Sequence, residues 1–248
     1  MKTEREVHLK VRRQESPDDL SSWEEFRVTV PPSQTVMELL QRLKLKPITA
    51  DGLPTTPVVF DASCTSAMCG ACAMLINGRV RMACTTLVDM IKEPIILEPL
   101  RSFPVVRDLM VDRDAMFEAL KNMRLWTEID GWSDAGSGPR KTPAQQEWSA
   151  MLSRCTMCGC CCEASPQYHA RSPFVGPHVM AHVARCNREP NGVIDKTKRL
   201  TALMQPGGLA DSDEGCSDVC PQKIPLDRVT AGLNWEVTAF SVRRFFHG

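Results

Sequence analysis

Cysteine carries the chemistry that this sequence offers. Cys155, Cys158 and Cys161 are each separated by two residues, and Cys220 stands before Pro221 far downstream. A tight loop of that spacing points three thiolates inward. C-x2-C-x2-C-x3-C-P is a run that holds four-iron clusters, and its fourth cysteine can serve a different cluster from the first three. Here the fourth position is Ser165, whereas Cys216-Ser217-Asp218-Val219-Cys220-Pro221 keeps the terminal Cys-Pro. The natural reading is a [4Fe-4S] cluster on Cys155, Cys158, Cys161 and Cys220, beside a further site that lacks a usual ligand.

A second set, Cys64, Cys69, Cys72 and Cys84, leaves four, two and eleven residues between its members. The plant-type [2Fe-2S] arrangement is C-x4-C-x2-C followed by a distant fourth cysteine. Ala62, Ser63, Thr65, Ser66, Ala67, Gly70 and Ala71 are small, so backbone N–H groups can approach the sulfurs. Four thiolates also suit tetrahedral zinc, but zinc sites usually pair two short hooks and do not carry a three-thiolate loop.

The elements that must position these loops follow from periodicity. Val7, Leu9 and Val11 alternate with polar residues, as do Phe26, Val28 and Val30, which predicts a hairpin with a long turn. Ser33 or Thr35 is placed to cap a helix whose Val36, Leu39, Leu40 and Leu43 share a face. Asn77-Gly78 between Ala73–Ile76 and Val80–Ala83 is a hairpin signal, and Ile95-Ile96-Leu97 adds a last strand. From Phe103 onward the period becomes helical, through Leu109, Met110, Met116, Phe117, Leu120 and Leu125. A surface loop is expected over 127–143, then helices over 144–153, 178–187, 196–204 and 226–246. The fold class is α+β: a [2Fe-2S] ferredoxin-like (β-grasp) domain at 1–104, then an all-helical bacterial-ferredoxin-like domain at 105–248.

The 248 residues carry 30 basic and 30 acidic side chains, so no basic footprint argues for nucleic acid. The twelve cysteines crowd into short runs and the N-terminal stretch has no apolar signal region. Both point to a reduced, cytoplasmic setting rather than a disulfide scaffold. No run approaches the roughly 18 apolar residues of a membrane span.

Together, Cys64 to Cys84, the Cys155 run, Phe174-Val175-Gly176-Pro177, the stretch from Leu203 to Asp211 and Cys216 to Pro221 resemble the iron–sulfur subunit of succinate dehydrogenase and fumarate reductase (respiratory complex II). That resemblance covers nearly the whole chain. It implies a peripheral subunit on the cytoplasmic face of the inner membrane, held there by partners. Electrons from a flavoprotein (FAD) subunit would pass the [2Fe-2S] and [4Fe-4S] centres and reach quinone at a membrane anchor, with or without haem. No substrate chemistry is expected on this chain alone. Fumarate reduction is the alternative direction, and a soluble two-domain ferredoxin carrier the alternative role.

The departure lies at the third centre. The family usually holds a [3Fe-4S] cluster there on three cysteines, which match Ser165, the segment around Ala210 to Ser212, and Cys216; only Cys216 survives. A serine oxygen is a harder ligand than thiolate. Remaining candidates are Cys162, His169, His178, His182 and Cys186, three of which (178, 182, 186) stack on one face of a helix. Two histidines with two cysteines would make a Rieske-type [2Fe-2S] set; the plain reading is hydrogen-bonded histidines and small buried thiols. Tyr168, the single tyrosine, could donate to a quinone carbonyl or simply pack. Trp126, Trp132 and Trp148 suit packing, and the apolar, basic ending Val242 to His247 suits a membrane subunit, lipid head groups or a frayed terminus.

Overall fold

The computed structural model describes residues 4–126, 140–169, 171–209 and 215–247. The chain divides into two compact units, Met1–Arg113 with Cys158–Glu163, and Asp114–Met157 with Ala164–Gly248.

In the first unit, β1 (Arg5–Arg13), β2 (Ser22–Val30), β3 (Ala73–Ile76), β4 (Arg79–Met82) and β5 (Ile95–Glu98) form one sheet in the order β2-β1-β5-β3-β4. β1 runs parallel to β5 and antiparallel to β2. The alternation works as read: Val7, Leu9, Val11 and Phe26 are fully buried, while intervening polar residues point outward. Helix α1 (Val36–Leu45) buries Val36, Met37, Leu39, Leu40 and Leu43. Its cap is Thr35. The Thr35 hydroxyl accepts from Glu38 N at 3.3 Å, and the Glu38 carboxylate takes Thr35 N at 2.7 Å, a reciprocal box that satisfies two donors otherwise left open.

Leu109 and Met110 depart from the helical expectation. They belong to a short hairpin of β6 (Val105–Arg107) and β7 (Met110–Val111), and the first unit continues to Arg113. The cause is tertiary. Between the strands Asp108 turns at φ 47°, and its 1% exposed carboxylate accepts from Arg13 Nε (3.0 Å), Gln14 N (3.1 Å) and Val59 N (2.9 Å). Leu109 N also donates to the Val59 carbonyl. A helix would forfeit all four bonds.

The second unit is helical: α2 (Asp114–Asn122), α3 (Pro143–Leu152), α5 (Pro177–Arg188), α6 (Lys196–Leu203) and α7 (Leu226–His247). A short helix α4 (Cys160–Ala164) belongs to the first unit as far as Glu163. Thr142 caps α3 in a box with Gln145, and Pro143 supplies the first turn. α5 packs against α2, α3, α6 and α7, burying Val179, Met180, Val183, Ala184 and Cys186. The buried Arg199 fastens α6 to its neighbours. It donates to Asn187 Oδ1 at 2.9 Å, to the Arg124 carbonyl at 3.2 Å and to the Gly192 carbonyl. Of the expected surface loop at 127–143, residues 127–139, including Trp132, lie outside the described residues. Trp126 and Trp148 stack beneath Arg124 and Arg188.

Candidate metal centres

The first thiol set sits on a loop entering β3 and on the turn leaving β4. Closure of the Asn77-Gly78 hairpin brings Cys72 beside Cys84, with Ala83 N donating to the Cys72 carbonyl at 3.0 Å. The start of α1 holds the same turn: Val36 N reaches the Thr86 carbonyl at 2.9 Å and Met37 N the Ala83 carbonyl at 3.1 Å. Arg113 clamps the loop from its other side, donating to the Ala71 carbonyl at 3.2 Å and lying 3.8 Å from Asp61.

Backbone N–H groups point at these sulfurs. Cys69 N and Met68 N donate to Cys64 Sγ at 3.3 and 3.2 Å, Cys64 N and Ala71 N to Cys69 Sγ at 3.4 and 3.5 Å, and Ala67 N to Cys84 Sγ at 3.2 Å. Ala67 achieves this at φ 55°, a left-handed conformation that an alanine adopts only when its surroundings impose it.

The four thiols lie close together: Cys64 and Cys69 are in hydrogen-bond reach of each other, as are Cys72 and Cys84, and Cys69 also acts on Cys72. The N–H groups of Ser66 and Cys69 draw the Cys64 thiol down to about 6, whereas burial, with Cys84 beside it, pushes Cys72 up to about 12. Four neighbouring thiols are the ligand number of a two-iron cluster, which spreads four thiolates over two metals. Among the described residues, no three His, Cys, Asp or Glu side chains converge around one point as a single ion requires. None of the twelve cysteines is in a disulfide.

For the second set, Cys158 is buried and Cys161 half-buried in the first unit. Gly159 between them has φ 84°, and a Cβ there would meet the Phe103 ring at 3.0 Å, so this close approach requires glycine. Glu163 accepts from Ser102 N at 2.9 Å, and burial raises its carboxyl. Cys160 is buried and meets Met82 Sδ at 3.9 Å. In the second unit Cys155 is half-buried, while Cys220 is buried and accepts from Ile224 N at 3.4 Å.

The third-centre candidates scatter. Ser165 is buried, and its Oγ accepts from Gln167 N at 3.4 Å. Cys216 and Cys162 are fully buried, in the second and first units respectively. His178, His182 and Cys186 do share a face of α5. His178 Nε2 lies 3.3 Å from the Met116 carbonyl, its ring edge-on to Tyr168 with centroids 6.3 Å apart. His182 Nε2 is buried with no hydrogen-bond partner, and burial lowers the ring to about 4, so it stays neutral. Burial also raises the Cys186 thiol. His169 Nδ1 accepts from Arg171 N at 3.3 Å. The segment Ala210 to Ser212 lies outside the described residues. Beside His169, a cleft of 310 Å³ is lined by Pro166, Gln167, Ser172, Pro173 and Phe174.

Sequence reasoning missed Arg113, and it read Ala67 as a small loop residue without its left-handed backbone. Neither feature carries a local signal, since both depend on contacts that exist only once the sheet has formed.

Known proteins fit this picture. A family described as a 2Fe-2S iron–sulfur cluster binding domain matches residues 8–118. The succinate dehydrogenase iron–sulfur subunit of Bacillus subtilis is 40% identical over 248 residues, covering 99% of this chain and 98% of that protein. A fumarate reductase iron–sulfur subunit of Mycobacterium tuberculosis is 34% identical over 185 residues, 73% of each chain. In the solved Mycobacterium smegmatis Sdh1 complex in its apo form, a chain 22% identical superposes with a TM-score of 0.82, covering 96% of this chain and 97% of that one, which shows the fold. No described helix is long and apolar enough to cross a membrane. With a relative of that identity spanning both chains almost end to end, this chain belongs to the family of succinate dehydrogenase and fumarate reductase iron–sulfur subunits, the electron-transfer subunits of complex II.

Proposed function

We propose that this chain conducts electrons from a flavoprotein (FAD) subunit to quinone at a membrane anchor. Cys64, Cys69, Cys72 and Cys84 would hold a [2Fe-2S] cluster and Cys155, Cys158, Cys161 and Cys220 a [4Fe-4S] cluster. The observation that carries the reading is the cluster of four neighbouring thiols with backbone donors aimed at their sulfurs. A bound cluster accepts and releases single electrons without forming or breaking bonds in the protein. The chain's part is electrostatic: its N–H groups offset thiolate charge, and its small side chains let the backbone come close. Burial of Cys72 and Cys84 limits water at one side of the loop. The exposed Met68 marks the side open to a redox partner. Succinate oxidation is assigned in this reading to the flavoprotein.

A third centre without its usual thiolates would rest on Cys216. We assign the nitrogen ligand of such a centre to the neutral His182, whose Nε2 is buried and unpaired, before His178, whose Nε2 lies by the Met116 carbonyl. The cleft beside His169 has the size of a small-molecule site and is the proposed seat of a quinone head group.

Iron and sulfide analysis of the purified protein, with electron paramagnetic resonance and nitrogen-coupling spectroscopy, tests each part. The two proposed clusters require about six irons per chain, and an additional nitrogen-coupled signal would establish the mixed third centre. A colourless, zinc-loaded protein would sink the electron-transfer assignment; two clusters without imidazole coupling would remove the histidine ligand alone. Co-purification with a flavoprotein separates a complex subunit from a free carrier.

A further inference from the structure

The last turns of α7 carry an apolar row that stays exposed among the described residues. Trp235, Ala239, Val242 and Phe246 follow one another at four, three and four residues, the spacing that keeps side chains on one helix face. Trp235 is 74% exposed, Val242 50% and Phe246 74%, with Phe245 beside them at 83%. At 1.5 Å per residue the row is about 16 Å long. Val193 and Ile194, just before α6, are exposed as well, and Val193 lines a groove with Trp235 between α6 and α7. Scattered apolar residues are ordinary on a surface, but a contiguous apolar row marks an interaction site.

The neighbouring charges choose the partner. Arg243 and Arg244 are exposed, and neither has an acidic partner among the described residues. Arg243 lines the same groove as Lys196, and both arginines line its continuation with Thr197, Thr201 and Phe240. No Asp or Glu occurs after Glu236, and Glu236 is already held by Lys196 Nζ at 3.2 Å and Asn187 Nδ2 at 3.3 Å. The chain is neutral as a whole, so this cationic end is a local concentration. If this groove met the same groove of a second copy, the lining would offer these arginines only that occupied glutamate. Exposed aromatic side chains flanked by arginine are the composition of helices that lie in the interfacial plane of a bilayer, where anionic head groups supply the countercharge.

We propose that the C-terminal end of α7 is a docking surface for an anionic lipid layer. Trp235, Val242, Phe245 and Phe246 enter the head-group boundary, Arg243 flanks them against the phosphates, and Arg244 adds to the field from the α6 side. This surface is independent of the proposed electron path, because lipid binding needs neither cluster turnover nor a flavoprotein.

The test is vesicle flotation of the purified full-length chain with its clusters. One vesicle population carries about 30% phosphatidylglycerol in phosphatidylcholine and the other phosphatidylcholine alone, at about 50 mM and about 500 mM salt. The wild type floats with anionic vesicles at low salt and is released at high salt. Neutralising both arginines (R243Q/R244Q) weakens partitioning roughly 10- to 30-fold, and F245S/F246S weakens it at unchanged charge. Unaltered cluster absorbance shows that each variant is folded. Equal flotation with neutral vesicles, no flotation with either, or variants that float like the wild type would overturn the proposal. So would a lipid-free dimer, seen by light scattering, that F245S/F246S dissolves.

Discussion

Removing the Asp108 carboxylate is the most informative test of how the first unit is held together. Both oxygens are committed: Oδ1 takes Arg13 Nε and Gln14 N, and Oδ2 takes Val59 N. Asp108→Ala therefore strands two backbone donors and leaves Arg13, itself buried, with Glu24 and Thr56 as its remaining partners. Breaking a buried pair in this way costs about 3–5 kcal/mol. Asp108→Asn keeps the shape but loses the charge, and whichever way its amide turns, an NH₂ group faces a donor. About half the penalty is expected. For a unit of this size the alanine variant should melt roughly 10–20 °C earlier. The assay is thermal and urea unfolding followed in the visible circular dichroism of the two-iron chromophore, which reports this unit alone, with far-ultraviolet signal for the helices. An Asp108→Ala protein within about 1 kcal/mol of wild type would refute the claim that this carboxylate, rather than apolar contact, fixes the β6–β7 hairpin.

Other outcomes follow from the same geometry. Ala67→Val sets a β-branched residue at φ 55°, so it should lower [2Fe-2S] incorporation measured by visible absorbance, while Ala67→Gly retains it. Thr35→Ala should cost about 1 kcal/mol at neutral pH. Hydrogen bonds from the N–H and hydroxyl of Thr35 lower the Glu38 carboxyl, so the carboxylate's contribution is present above the unfolded value near 4.5 and is lost as pH falls through the lower folded value; the gap between the urea midpoints of the two proteins should narrow in acid, and the bond from Glu38 N to the Thr35 hydroxyl keeps it from closing. Cys160→Ala should leave the iron count intact because that thiol meets Met82, whereas Cys158→Ala should lose the four-iron signal; equal losses would break the proposed ligand set.

Much of this was legible in the chain. Alternation found β1 and β2, Asn77-Gly78 found the β3–β4 hairpin, and Thr35, one of two candidates, is the cap of α1, whereas the cap of α3 at Thr142 went unread. What escaped depends on distance in sequence. β6 and β7 are three and two residues long, too short for a period of two to outweigh the helical spacing of Leu109, Met110 and Met116, and they persist because Asp108 answers Arg13 from 95 residues away. The cysteine spacing announced a cluster loop, yet the nearness of Cys64 to Cys69 and of Cys72 to Cys84 comes from the folded backbone. Ser165 was visible as a departure, but that its hydroxyl is occupied by Gln167 N was not.

The turn bearing Cys84 is fastened by the opening amides of α1 and by Ala83 reaching back to Cys72. A nascent chain thus presents three neighbouring thiols early and a fourth only when hairpin, helix and sheet have met. On the proposed ligand set, acquiring the inorganic group becomes a proof of assembly: iron is retained by finished molecules, and an unfinished one stays pale and open to proteolysis. Respiratory competence and structural quality control would then share a single checkpoint.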